Sequence, residues 1–144
     1  MAKLTLTQAQ EMITAGLTLA RQHSLGPLTL VVLNEGGQVK ATASQDGSGT
    51  LRYDIALGKA SAALGMGFGT RQFYSLVQNG VLPEMFATTI NGAAQGNFIP
   101  MPGGVLIKDK QGVIGALGVS GASSDDDEKI AIEAITGQGF SASP

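Results

Sequence analysis

The chain has 144 residues and a formal charge of -2, from 9 basic and 11 acidic side chains, with no cysteine and one histidine. One domain accommodates that length, while the lack of cysteine excludes disulfides, iron-sulfur clusters, thiol nucleophiles and cysteine-rich zinc sites, and no basic block exists to neutralise a run of nucleic-acid phosphates. Glycine is the compositional outlier at 21 residues, and only 14% of residues are charged, a sparse surface that points to a homo-oligomer hiding apolar area or to a ligand-lined cavity.

The N-terminus enters an amphipathic pattern without the apolar run of a signal peptide, and nothing later is long enough to cross a bilayer. A cytoplasmic protein with no membrane partner is therefore expected. Thr7 followed by Gln10 matches a capping box, and Ala9, Met12, Ile13, Gly16, Leu17 and Ala20 repeat at helical spacing, predicting a helix over 7–23 that Gly26-Pro27 ends. Leu28 to Leu33 is continuously apolar apart from Thr29, as in a central strand covered on both faces. Asn34 to Gly37 turns the chain into a second strand, Val39 to Ser44, in which Val39, Ala41 and Ala43 are expected to share a face.

The glycines of Asp46 to Gly49 break that strand, and the alanine-rich run Leu51 to Leu64 then has the pattern of a buried helix or a subunit contact. Shorter helices are predicted over 70–79 and 83–90, the second started by Pro83. From Asn91 to Gly104 the chain is rich in glycine and proline and reads as an exposed loop, with Phe98 and Ile99 as a short edge strand. Gly104 to Lys108 and Val113 to Ser120 form a second hairpin, followed by a helix that Ser123 or Ser124 caps and whose first turn carries Asp125, Asp126, Asp127 and Glu128. Hairpins grouped between helices imply an α+β fold, an α/β sandwich with an antiparallel sheet.

Six features bear on chemistry. The glycines around Met66 close one helix before another starts, whereas a dinucleotide loop follows a strand. Ser120, in Gly-Val-Ser-Gly-Ala, lacks the last glycine of a nucleophile elbow, and its one candidate base, His23, is remote in sequence. The four acids from Asp125 point around a helix instead of converging on a cation, and read as dipole-favoured, solvated groups. His23 projects on the side of Met12, Gly16 and Ala20, where a neutral imidazole can face a pocket as axial ligand to a tetrapyrrole metal or can simply end the helix favourably. Arg52 and Lys59, seven residues apart, align on one helix edge, able to hold carboxylates or to lie solvated beside Asp46 or Asp54. Gly112, Gly115, Gly118 and Gly121 recur every third residue, which calls for a helix, a sister subunit or a planar ligand packed on the strand.

The segments LTLVVLNEGGQVKA, Asp46-Gly47, Ile55-Ala56, Lys59-Ala60, Thr70 and GGVLIKDKQGVIGALGVSG with Asp126 and Asp127 resemble the GlcG/HbpS-like family, known as haem-degrading or haem-binding. They are similar also to the C-terminal domain of PduO-type corrinoid adenosyltransferases and to a small stand-alone protein of glycerol and diol dehydratase clusters. The resemblance covers nearly the whole chain, so residues 1–144 are expected to be one domain. It implies a five-stranded antiparallel sheet flanked by helices in a profilin-like or roadblock-like arrangement, and assembly into dimers up to octamers. It further implies a cytoplasmic haem- or corrinoid-binding or accessory protein of glycolate, glycerol or diol catabolism, with a cobalamin-dependent enzyme as partner. On that reading His23 is the metal ligand, Arg52 and Lys59 hold carboxylates, and Gly115 and Gly118 back the ligand. Two other readings stand beside it: an enzyme acting on a small hydroxy acid or aldehyde through Lys59, Asp46 and Ser120, and a purely structural oligomer. Asn34 and Ser44 occupy positions where many relatives carry an aspartate and an arginine.

Overall fold

The computed structural model describes residues 3–144. Helix α1 spans Leu6–Gln22 and leads into the hairpin of β1 (Thr29–Asn34) and β2 (Val39–Ser44). Three helices follow, α2 (Arg52–Met66), α3 (Thr70–Gln78) and α4 (Glu84–Ala93), then β3 (Gly104–Asp109), β4 (Gly112–Ser120), α5 (Ser124–Thr136) and β5 (Ser141–Ser143). The strands form one antiparallel sheet in the order β2-β1-β4-β3-β5. This is the expected α+β class with its five-stranded sheet.

The cap of the first helix lies two residues earlier than the sequence pattern suggests. Thr5 and Gln8, not Thr7 and Gln10, make the reciprocal capping box, with Gln8 N–H donating to Thr5 Oγ1 at 3.1 Å and Thr5 N–H donating to Gln8 Oε1 at 3.0 Å. Both pairs have the right spacing, but only the earlier one is preceded by an apolar residue, Leu4, that is buried in the same core as Ala9. Thr5→Ala is expected to cost about 1 kcal/mol, seen as a lower urea midpoint with an unchanged slope.

The sheet is covered on both faces. Helices α1 and α5 pack together over one face, where Met12, Leu30, Val32, Leu117, Val119 and Ile130 are buried. The other face takes α2, whose Ala56, Ala60 and Ala63 meet Val31, Leu33, Leu106 and Ala116. Helices α3 and α4 lie beyond α2 and add a small separate core around Ala62, Phe73 and Phe98. Phe98 stacks edge-on to Phe73 at 5.1 Å between centroids, and Ile99 N–H donates to the Gly58 carbonyl of α2. Phe98 and Ile99 are thus anchored to helices and are not an edge strand. The fifth strand is β5, paired with Leu106 to Lys108.

Bulges adjust both hairpins. Val32 pairs with Ala41 but Leu33 pairs with Val39, so Lys40 is the extra residue and Val39 is out of step with Ala41 and Ala43. The hairpin turn is held by Asn34, whose Oδ1 accepts from Gly36 N–H and Gln38 N–H, each at 3.0 Å. An asparagine suffices there because the acceptor is the amide oxygen.

Candidate functional site

The polar groups of this fold gather at the end of the sheet where β4 leaves and β3 begins. Lys59 stands in the buried alanine stripe of α2, where an unpaired ammonium would be heavily penalised. Its Nζ therefore donates to Asp127 Oδ2 and to the Val119 carbonyl, each at 3.0 Å. Lys59 is 3% exposed and Asp127 2%. Gly103 makes room for the side chain: its φ is +124°, and a Cβ there would stand 3.0 Å from the lysine Nζ.

Asp127 also accepts from Ala122 N–H at 2.9 Å, which ties the first turn of α5 to the link that follows β4. Burial raises the Asp127 carboxyl above its ordinary pKa, opposed by Lys59, by the Ala122 hydrogen bond and, more weakly, by Arg52. Beside this pair, Arg71 of α3 donates Nε–H to Glu128 Oε2 at 3.0 Å and reaches Asp125 through Nη2. The acids Asp125, Asp127 and Glu128 are thus counter-ions that join α5 to α2 and α3, a correction to their reading as solvated dipole partners. The cap itself is Ser123, which accepts from Asp126 N–H at 3.1 Å.

Arg52 lies at the start of the same α2 edge and donates to Ser120 Oγ at 3.1 Å. Ser120 is fully buried, next to Thr29, whose hydroxyl shares a 2.7 Å bond with Ser44. This hydroxyl row replaces any charged group at Ser44. Ser120 is the last residue of β4, as its place in the second hairpin predicts. Asp46 lines a different hollow, against Arg21, Leu25 and Pro27, so Lys59, Asp46 and Ser120 do not converge on an acid-base arrangement.

His23 is on the other side of the sheet, at the C-terminal cap of α1. The stripe of Met12, Gly16 and Ala20 is buried, but His23 emerges at its end with a side chain 40% exposed and Nε2 3.7 Å from Glu133 Oε2. The structure brings Arg52 and Lys59 to one region and leaves His23 apart from both. Gly118 lies under α2, where a Cβ would collide with the Ala56 carbonyl; at Gly115 a Cβ would collide with the Leu33 carbonyl and crowd Leu4. At these two glycines the chain itself fills the space. Among the described residues no three His, Asp or Glu side chains converge as a metal site, and no helix is long and apolar enough to cross a membrane.

The residues missed from sequence are Asp127 and Arg71. A lysine flanked by Ala56, Ala60 and Ala63 is itself a signal that a distant carboxylate must be found.

A family model described as haem degrading protein HbpS-like matches residues 4–136. Among solved structures, the chain is similar to a PduOC:haem complex with a TM-score of 0.85 and 23% identity, over 98% of this chain and 99% of that one. It is similar to Klebsiella pneumoniae protein ORFY with a TM-score of 0.82 and 28% identity, over 93% and 89% of the two chains. A double mutant of Streptomyces reticuli HbpS gives 0.80 and 25%, over 94% and 87%. No protein of curated function matches the sequence significantly.

Proposed function

The chain belongs to the HbpS-like family, and from that membership we propose that it is a homo-oligomeric haem-binding or accessory protein that presents His23 as the axial ligand. The observation that carries this reading is the position of its one imidazole, at a helix end with its side chain reaching solvent beside Glu133. Haem iron needs one or two protein ligands, and a carboxylate at the second ring nitrogen is the usual means of fixing an imidazole for ligation. Bound haem would supply redox or oxygen chemistry; the chain's own part is to hold and orient it.

The fit extends to His23 and not to the two cations. Lys59 is committed to Asp127, and Arg52 stands on the opposite face of the sheet. The exposed Met85, Val81 and Leu51 favour an assembly that covers apolar area.

Haem titration tests this reading. The wild-type protein is expected to shift the Soret band on saturable binding, and His23→Ala to weaken that binding at least about tenfold, the scale of losing one ligand or its support. Equal binding by both proteins would remove His23 from the site. A response to cobalamin and not to haem would redirect the proposal to a corrinoid.

A further inference from the structure

Strand β2 is an open edge of the sheet, and its ladder fixes which backbone groups are free. Gln45 N–H donates to the Leu28 carbonyl, and the register then pairs Leu30 with Ala43 and Val32 with Ala41. In an antiparallel ladder the hydrogen-bonded pairs alternate, so Ala43 and Ala41 turn their amides toward β1 while Thr42 and Ser44 turn N–H and C=O outward. At the opposite edge, β5 is only three residues long. Among the described residues no strand pairs with β2 on its outer side, and the seam between it and α1 opens into two hollows of about 530 and 410 Å³, with Leu17 and Ile13 in their walls.

We propose that this edge pairs with the same edge of a second copy, antiparallel about a two-fold axis at Ala43. The inference rests on the homo-oligomer reading above and names the contact. In this register Thr42 of each copy faces Ser44 of the other, and the outward amides and carbonyls exchange four hydrogen bonds. Ala43 faces its own counterpart in a non-hydrogen-bonded pair. At each end the bulged Lys40 of one copy and Asp46 of the other, in the turn after the strand, flank the paired segment, so the charges beside the contact are complementary. From Ala41 to Ser44 every side chain is small, Gln45 is turned back to accept from Leu28 N–H, and no proline or inward charge blocks the edge. Two five-stranded sheets become one of ten strands.

Four variants test the contact by sedimentation and by oxidation. Thr42→Pro removes an outward N–H and leaves the β1 ladder intact, and is expected to lower the assembly mass twofold with an unchanged circular dichroism spectrum. Ala43→Cys places the chain's sole thiols about 4.5 Å apart between α-carbons, within disulfide reach, and is expected to cross-link quantitatively to a dimer on a non-reducing gel. Lys40→Glu is expected to weaken association, and adding Asp46→Lys to restore it. If the wild type sediments as a monomer, the homo-oligomer reading fails together with this contact. If the wild type is oligomeric but Ala43→Cys does not cross-link, the β2 contact alone is overturned, whether or not Thr42→Pro folds.

Discussion

Asp127→Asn is expected to lower stability by about 3–5 kcal/mol, the cost of leaving one member of a buried ion pair without its counter-charge. Lys59 Nζ has two oxygen partners, Asp127 and the Val119 carbonyl, and the asparagine keeps an oxygen but not the negative charge. Lys59→Met should be milder at low pH, because the remaining group is a carboxyl that can take up a proton. The sign follows from the raised pKa of Asp127, which burial causes and Lys59 opposes. With the lysine gone, the folded-state pKa rises further above the unfolded value. The carboxyl then contributes stability that is fully present below the unfolded pKa and is lost as pH rises through the folded one. Lys59→Met should therefore unfold at lower urea at pH 8 than at pH 5, and the dependence should vanish in Lys59→Met with Asp127→Leu. Urea midpoints for the three proteins at both pH values decide it. Equal midpoints at pH 5 and pH 8 for the single variant would show that Asp127 does not titrate in the buried site.

Gly118→Val is the second large effect. At Gly118 the strand lies under the backbone of α2, and an added Cβ would strike the Ala56 carbonyl and approach the Ala60 methyl to 3.1 Å. Neither obstacle is a flexible side chain, so the helix must lift from β4 and from its neighbours β1 and β3. The expected loss is about 3 kcal/mol, at the upper end for overpacking, or roughly 6–12 °C in midpoint for a chain of this size. Gly65→Ala is the control on the same helix, because a Cβ there meets nothing within 4 Å; it should be neutral or stabilising by up to about 1 kcal/mol. Differential scanning calorimetry separates the two, and a Gly118→Val midpoint within 2 °C of wild type, about what 1 kcal/mol or less would produce, would mean that α2 is not held against the strand.

The hairpins and the capped final helix are legible in sequence because each is specified locally, by a turn motif or a serine placed before an apolar repeat. Strand β5 is not. Ser141 to Ser143 has no apolar alternation, and only pairing with β3 makes it a strand. The face of the sheet that each helix takes is equally invisible in a one-dimensional pattern. This is why His23 and the cations Arg52 and Lys59 look like candidates for one site although α1 and α2 cover opposite faces. Asp127 was hidden for a related reason: dipole-favoured acids and counter-ions look alike in sequence, and its lysine is 68 positions away. The Thr5 cap was legible in type but ambiguous in position, since two boxes overlap and burial of Leu4 selects between them.

The strand order also sets the folding problem. β1 with β2, and β3 with β4, are neighbours in sequence and can close as local hairpins, but the centre of the sheet is β1 against β4, where Thr29 meets Ser120. That pairing must enclose α2, α3 and α4 in a single long loop. Loop-closure entropy grows only logarithmically with length, yet the contact cannot reward the chain until the enclosing search is complete. The middle of the sheet is therefore the latest contact in sequence terms and the one on which both halves depend.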